Sequence, residues 1–240
     1  MKIVVLTDVH ANLPALDVAL NVITREGYDL LVHVGDAIAI GPYPAECLDR
    51  LLNLPRAQFV MGNHDDWFAN GLPQPQPVWM SDGEVVHQHW THAQIAPALR
   101  VVLAKWPFVL QHVIDSIKLT FLHYALEADG RNFIPPLRSP DPAGLDRLFA
   151  NLAGTGGILV YGHTHDFLDM QGRAHYLNPG SLGCYEHALA RYSVINVKQE
   201  NFAITHRQVV YDDAELFKAF EQRQVPEREF ICKAFFGGRK

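Results

Sequence analysis

The chain has 240 residues, enough to bury one large core, and its 48% hydrophobic and 19% charged content is that of an ordinary globular domain. A formal net charge of −6 supplies no global basic field for a stable nucleic-acid complex, and no apolar run reaches the length of a membrane span. Three irregularly spaced cysteines, Cys47, Cys184 and Cys232, and a first segment that enters a strand directly fit a reducing compartment, so a cytoplasmic location is expected.

In chain order, Ile3 to Leu6 reads as a buried strand. Asn12 caps a helix with Pro14 in its first turn; Leu13, Leu16, Leu20 and Ile23 make its buried stripe, and Gly27 stops it. Tyr28 to Asp36 is the next strand, Ala45 to Leu54 a helix ended near Pro55, and Phe59 to Met61 a third strand. Residues 66–107 interrupt this alternation with Trp79, Trp90 and Trp106, a Pro73-Gln74-Pro75-Gln76-Pro77 run and two helices, which together predict a helical flap. Val109 to Ile114 and Ile117 to Leu122 suit a hairpin around Asp115-Ser116, and residues 124–142 form a second long loop carrying Arg131 and Arg138. Ile158 to Val160 is a further strand. The chain then reads mostly β, through Arg173 to Leu177, Tyr192 to Val197 and Phe202 to Val210. Asp212 or Asp213 caps a helix to about Arg223, within a C-terminal helical tail over 212–240. The simplest layered solution is an α/β fold, a two-sheet β-sandwich flanked by helices, as one domain over 1–240.

Ligand-type residues stand where five of the apolar runs end: Asp8 and His10, Asp36, Asn63 and His64, His123, and His163 and His165. On a strand, residues i and i+2 share a face, so Asp8 is expected to converge with His10, and His163 with His165. Two divalent ions about 3.5–4 Å apart need a bridging ligand, and a carboxylate serves best. Asp36, alone on its loop, is the natural bridge. Carboxylates, imidazoles and one amide make a mixed set that suits Mn²⁺, Fe²⁺ or Zn²⁺ over Mg²⁺ or Ca²⁺. No cysteine belongs to it, which argues against a closed structural zinc site.

The ordered motifs Asp8-Val9-His10, Gly35-Asp36, Gly62-Asn63-His64-Asp65, His123 and Gly162-His163-Thr164-His165 closely resemble the calcineurin-like metallophosphoesterase superfamily. Thr7 to Asn12 with Pro14-Ala15-Leu16, and Asn178-Pro179-Gly180-Ser181-Leu182-Gly183, are similar to its small prokaryotic phosphodiesterase branch. The similarity runs from Met1 to about Val197. It implies that family's four-layer architecture and two metals, manganese foremost. One metal would take Asp8, His10, Asp36 and His165, the other Asp36, Asn63, His123 and His163. His64 would face the substrate's leaving group, and Asn63 would hold a phosphate oxygen as well as metal. A water activated between the metals would then attack phosphorus directly, on a small phosphorylated substrate such as a nucleotide.

One stretch departs from the protein phosphatase branch. That branch follows its bridging aspartate as G-D-x-x-D-R-G, whereas here Gly35-Asp36 continues Ala37-Ile38-Ala39-Ile40-Gly41. Ala39 and Ile40 can neither orient a histidine nor clamp a phosphate, so the group supporting His64 stays open. A phosphomonoesterase, protein phosphatases included, is the alternative activity. An inactive scaffold on the same fold should have lost ligands, and none is missing. Four other features carry weaker expectations. Arg191, with Arg131 and Arg138, can pair phosphate oxygens or lie solvated. The Asn178 to Gly183 segment is either a tight turn or a row of amides aimed at phosphate. His87, His89 and His92 read as a solvated helix face, and Trp90 and Trp106 as core.

Overall fold

Side-chain alternation along the strands decides the layers. In the computed structural model, which describes residues 1–152 and 155–239, β1 (Lys2–Leu6) sends Val4 and Leu6 to a face covered by α1 (Leu13–Glu26) and α2 (Pro44–Leu52). Ile3 and Val5 point the other way, into a second sheet. β2 (Leu30–His33) repeats the pattern, with Leu31 outward and Leu30 and Val32 inward. The first sheet runs β10 (Asn201–Val210), β9 (Leu189–Lys198), β1, β2, β3 (Ala57–Phe59). The second runs β4 (Val109–Ile114), β5 (Ile117–Leu122), β6 (Ile158–Val160), β8 (His175–Pro179), β7 (Phe167–Gln171).

Each sheet has a parallel core of three strands, β1-β2-β3 in one and β5-β6-β8 in the other. Antiparallel strands complete the other edges, β10 in the first sheet and β4 and β7 in the second, while β3 is a parallel edge. Between the sheets, Val5, Val32, Phe121, Val160, Leu177 and Ile195 interdigitate. Full burial of such a side chain contributes about 1.5–3 kcal/mol. A one-residue slip of any strand would turn its inner set towards the helices, so register is strongly specified. On the far face, Leu159, Tyr161 and Tyr176 pack with Leu145 and Phe149 of α6 (Pro142–Leu148) and its end. The layer order is therefore helix, sheet, sheet, helix, as the sequence implies. No helix among the described residues is long and apolar enough to cross a membrane.

Asn12 does cap α1, its Oδ1 accepting from Ala15 N at 3.1 Å. Asp115 and Ser116 take φ 46° and 68°, the left-handed pair a two-residue hairpin turn demands. Between β3 and β4 lie α3 (Asn63–Asn70), α4 (Asp82–Gln94) and the one-turn α5 (Arg100–Leu103), three helices where two are expected. Ser81 caps α4 through Glu84 N at 3.1 Å. Trp106 is buried, stacked on Phe59 with ring centres 4.8 Å apart, whereas Trp90 is only half-buried and Trp79 is 66% exposed. At the C-terminus α7 (Ala214–Gln222) and α8 (Arg228–Phe235) close over Ile40 and Cys184. The sequence reading missed α6 and β7. Both are short, and β7 is an edge strand whose Phe167 is exposed, so neither carries a clean burial period.

Candidate metal centre

Every proposed ligand follows the carboxyl end of a parallel strand. β1 leads to Asp8 and His10, β2 to Asp36, β3 to Asn63 and His64, β5 to His123, and β6 to His163 and His165. Parallel strands end together, so these loops meet at one edge of the sandwich. Convergence does not come from the i, i+2 geometry of a strand. Asp8, His10 and Ala11 take φ 52°, 45° and 50°, Asp36 takes 57°, and His163 and His165 take 68° and 60°. The chain turns sharply at the ligands, and neighbouring loops hold it there. Asp8 N donates to Gly35 O at 3.0 Å and His10 N to Asp36 O at 3.1 Å. Non-glycine residues in this region are strained by about 1–3 kcal/mol each and cluster at functional sites. Gly62 has to be glycine for another reason: a Cβ there would collide with the Asp36 carboxylate and amide.

The donor atoms form two groups sharing one carboxylate. In the first, Asp8 Oδ1 lies 3.4 Å from His165 Nε2 and 3.6 Å from His10 Nε2, and the two imidazole nitrogens are 2.9 Å apart. In the second, Asn63 Oδ1 lies 3.2 Å from His123 Nε2 and 3.1 Å from His163 Nδ1. Asp36 Oδ2 stands 3.1 Å from His123 Nε2 and 3.8 Å from His10 Nε2. All seven ligand residues named from the sequence come together. His64 sits beside them with Nε2 4.0 Å from Asp36 Oδ2.

Tautomers make the fit to a cation specific. His10 Nδ1 lies 3.2 Å from Ile38 O and His123 Nδ1 2.9 Å from Val34 O, so each ring donates that N–H to a carbonyl. Their Nε2 lone pairs are thereby turned into the cluster, as for ligating histidines. Electrostatics agree. Burial pushes Asp8 and Asp36 up, but His165 beside Asp8 and His123 beside Asp36 outweigh it and hold both well below the usual carboxylate range. Burial pushes His123 down, yet the charges of Asp36 and Asp8 lift it to about 9. Those carboxylates thus hold positive charge at the point where the Nε2 atoms meet, which is what a cation would supply. His64 and His163, further from the carboxylates, are instead carried by burial to about 3 and about 4.

The supports of this cluster were not visible in the sequence. Gln88, wholly buried on α4, places Nε2 2.7 Å from His64 Nδ1 and fills the role left open by Ala39 and Ile40. Asp65 accepts from the amides of Asp36, Ala37 and Gly62 at 2.8, 3.1 and 3.2 Å, tying the bridging loop to the His64 loop. Burial and then the charge of Asp36 push its carboxyl up to about 7. Trp67, passed over in the sequence, meets the His64 ring edge-to-face at 4.9 Å and stacks with Trp79 at 6.1 Å.

Several expectations are corrected. Arg191 is not solvated: it is 6% exposed, lies over the Tyr185 ring at 3.8 Å, and donates to Ser181 O at 3.1 Å and His165 O at 2.9 Å. These two bonds use only part of the guanidinium and brace the loop that carries His165. The 178–183 segment is a turn, not an anion cradle. Gly180 N is taken by Asn178 Oδ1, and the amides of Ser181, Leu182 and Gly183 by His165 O, Thr7 O and Asp8 O. His87 is buried, accepting from Ile40 N at 2.8 Å and donating to Pro226 O at 3.2 Å, while His89 is exposed. Arg131 pairs with Asp66 at 3.4 Å. A cysteine also lies near the cluster: Cys184, His10 and His165 present ligand-type atoms all within 4.8 Å of one another.

Comparison with known proteins follows the same lines. Residues 1–201 match the model of the calcineurin-like phosphoesterase superfamily domain. The chain is 23% identical over 258 residues to the uncharacterised protein MJ0912 of Methanocaldococcus jannaschii, covering 99% of this chain and 98% of that one. It superposes on the crystal structure of hypothetical protein PH1004 from Pyrococcus horikoshii with a TM-score of 0.81 at 20% identity, covering 100% and 99% of the two chains. A metallophosphoesterase from Sphaerobacter thermophilus gives 0.69 at 21% identity, with 95% and 96% covered.

Proposed function

Since the chain belongs to the calcineurin-like phosphoesterase superfamily, and so to the metal-dependent phosphoesterases, we propose that it hydrolyses a small phosphodiester, a nucleotide-type ester foremost, at a centre of two divalent cations. The observation that carries this reading is the sharing of Asp36 by two complete donor groups. Asp8, His10, Asp36 and His165 would hold one cation; Asp36, Asn63, His123 and His163 the other. The largely nitrogen and oxygen donor set suits Mn²⁺, with Fe²⁺ or Zn²⁺ next. Such cations, when bound, would lower the pKa of water and offset charge on the phosphoryl oxygens.

The chain's own groups do the rest. Asn63 turns Oδ1 to His123 and His163, leaving its Nδ2–H to donate to a phosphoryl oxygen. Gln88 fixes His64 so that Nε2 faces Asp36 and the reacting phosphate, where it donates to the leaving oxygen. A diester is favoured over a monoester because no guanidinium stands in the Ala39-Ile40 stretch. An aromatic or nucleoside ester group has two places to go. The Trp67–Trp79 pair leads outward from His64. A cavity of about 530 Å³ beside His163 is bounded by Tyr124, Leu137, Arg138 and Tyr161.

The test compares p-nitrophenyl phosphate, its bis ester, cyclic nucleotides and dinucleoside polyphosphates with Mn²⁺-loaded protein, alongside elemental analysis. Two ions per chain are expected, and Asp36→Asn should weaken both together and lower activity by several orders of magnitude. A fully active preparation holding at most one ion would overturn the two-cation centre. Faster turnover of the monoester than of every diester would reassign the enzyme as a phosphomonoesterase.

A further inference from the structure

We infer that Cys184 supplies a thiolate to the first cation, beside His10 and His165, and makes that position a soft site that prefers Zn²⁺ or Fe²⁺ over Mn²⁺. This rests on the metal-dependent reading above, adds a ligand to it, and confines the preference for Mn²⁺ to the second cation, whose donors are nitrogen and oxygen alone.

The thiol is delivered by the turn that was open to reading as an anion cradle. Since its amides are spent on His165, Thr7 and Asp8 carbonyls and on Asn178, what the turn offers the metal centre is the next side chain, Cys184. Cys184 is 3% exposed, with its own amide held by Ser181 Oγ at 2.7 Å. Its sulfur and the ring nitrogens of His10 and His165 all lie within 4.8 Å of one another. Zinc–sulfur and zinc–nitrogen distances of about 2.3 and 2.0–2.1 Å let one cation span a sulfur and a nitrogen up to about 4.4 Å apart. Side-chain shifts of a few tenths of an ångström at most therefore bring the sulfur to a cation held by both imidazoles.

The two imidazoles converge on the same spot. His10 Nε2 and His165 Nε2 face each other at 2.9 Å, and the Nδ1 of His10 is engaged with Ile38 O, so its Nε2 lone pair is directed at a second imidazole. In the metal-free chain the Nε2–H of His165 can donate to that lone pair, and a bound cation would take the place of this proton between the same two nitrogens. Placement is also fixed in advance. Arg191 donates to the carbonyls of both Ser181 and His165, locking the turn that carries Cys184 to the loop that carries a ligand. A Cβ on Gly183 would collide with the Val9 carbonyl, so the turn lies directly on the Asp8–His10 loop. Helices α7 and α8 cover the thiol from the other side, which keeps solvent oxidants away. Binding releases the thiol proton to solvent and forms a metal–sulfur bond, and thiolate donors shift a site towards softer cations.

Cobalt substitution reads this without turnover. With two Co²⁺ per chain, the wild type should show a near-ultraviolet sulfur-to-cobalt charge-transfer band. Cys184→Ser should lose the band, keep two Co²⁺, and lower the Zn²⁺-over-Mn²⁺ affinity ratio at least tenfold. A second arm needs no variant: alkylation followed by mass spectrometry, with the buried Cys47 and Cys232 as internal references. Metal loading should slow modification of Cys184 at least tenfold more than that of the other two. Two bound Co²⁺ without a sulfur band, or equal protection of all three cysteines, would overturn the inference while leaving the two-cation reading intact. A chain that takes up no Co²⁺ would overturn both.

Discussion

Gln88→Leu separates stability from catalysis. The wild-type side chain is fully buried and gives its Nε2 to His64, but its Oε1 has no partner among the described residues. A buried unsatisfied carbonyl costs about 1–3 kcal/mol, and the His64 bond contributes a comparable amount, so leucine of similar size removes one penalty and one gain. The net change should stay within about 1 kcal/mol, which for a chain of this length moves Tm by no more than about 2–4 °C. Catalysis has no such compensation. His64 loses the contact that aims its Nε2, and a loss of about 1–3 kcal/mol in the transition state is about 5- to 150-fold in kcat. Calorimetry, metal analysis and kcat with KM on bis-p-nitrophenyl phosphate measure the three quantities. If the variant melts many degrees lower yet keeps its kcat, Gln88 is a packing residue and the reasoning fails.

His64→Ala should keep both cations and lose about 10²–10⁴-fold on substrates with poor leaving groups, but much less on p-nitrophenyl esters, whose leaving oxygen needs little stabilisation by the Nε2–H hydrogen bond; equal losses on both would assign His64 to phosphate positioning. Trp79→Ala, at an exposed site, should cut kcat/KM for nucleoside esters by about 5- to 150-fold, equivalent to the roughly 1–3 kcal/mol of a base stack, and spare p-nitrophenyl phosphate. Uniform loss across both substrates would place specificity elsewhere, in residues 124–142. His33 is wholly buried with neither ring nitrogen bonded among the described residues, and burial carries it from 6.5 down to about 3. Between those values the unfolded chain takes up a proton the folded chain refuses, so stability contributed by this residue is full above pH 6.5 and falls with pH by up to about 1.4 kcal/mol per unit. Denaturation of metal-stripped His33→Leu should show a shallower acid slope by that amount, and parallel curves would refute the assignment.

What the sequence disclosed follows from what chemistry constrains locally. Asp8, His10, Asp36, Asn63, His123, His163 and His165 are legible because a metal tolerates few donor types, and each follows a short apolar run that only a buried strand explains. The layers are legible because Val4 and Val5 have to face opposite ways. Partners set by packing were hidden. Gln88 meets His64 across 24 positions, and only the docking of α4 brings them together. Arg191 has the spelling of a surface residue, and its burial depends on Tyr185 and on carbonyls from two other loops. The left-handed turns at Asp8 and His163 also escaped, because neither residue is glycine or asparagine and the strain is held by neighbours distant in sequence.

The division of the ligands between the two sheets has a consequence for how the molecule is held together. Asp8, His10, Asp36 and Asn63 follow strands of one sheet; His123, His163 and His165 follow strands of the other. Any cation bound here is a cross-link, adding to a seam sealed by interdigitated apolar side chains and by hydrogen bonds such as His123 Nδ1 to Val34 O and His112 to Gln58. Assembly of the sandwich and capture of metal are then one equilibrium, and free metal at 100 times its dissociation constant would add about 2.7 kcal/mol per site to cohesion. A cell starved of transition metal would lose more than an activity: the two halves of the protein would come apart more readily.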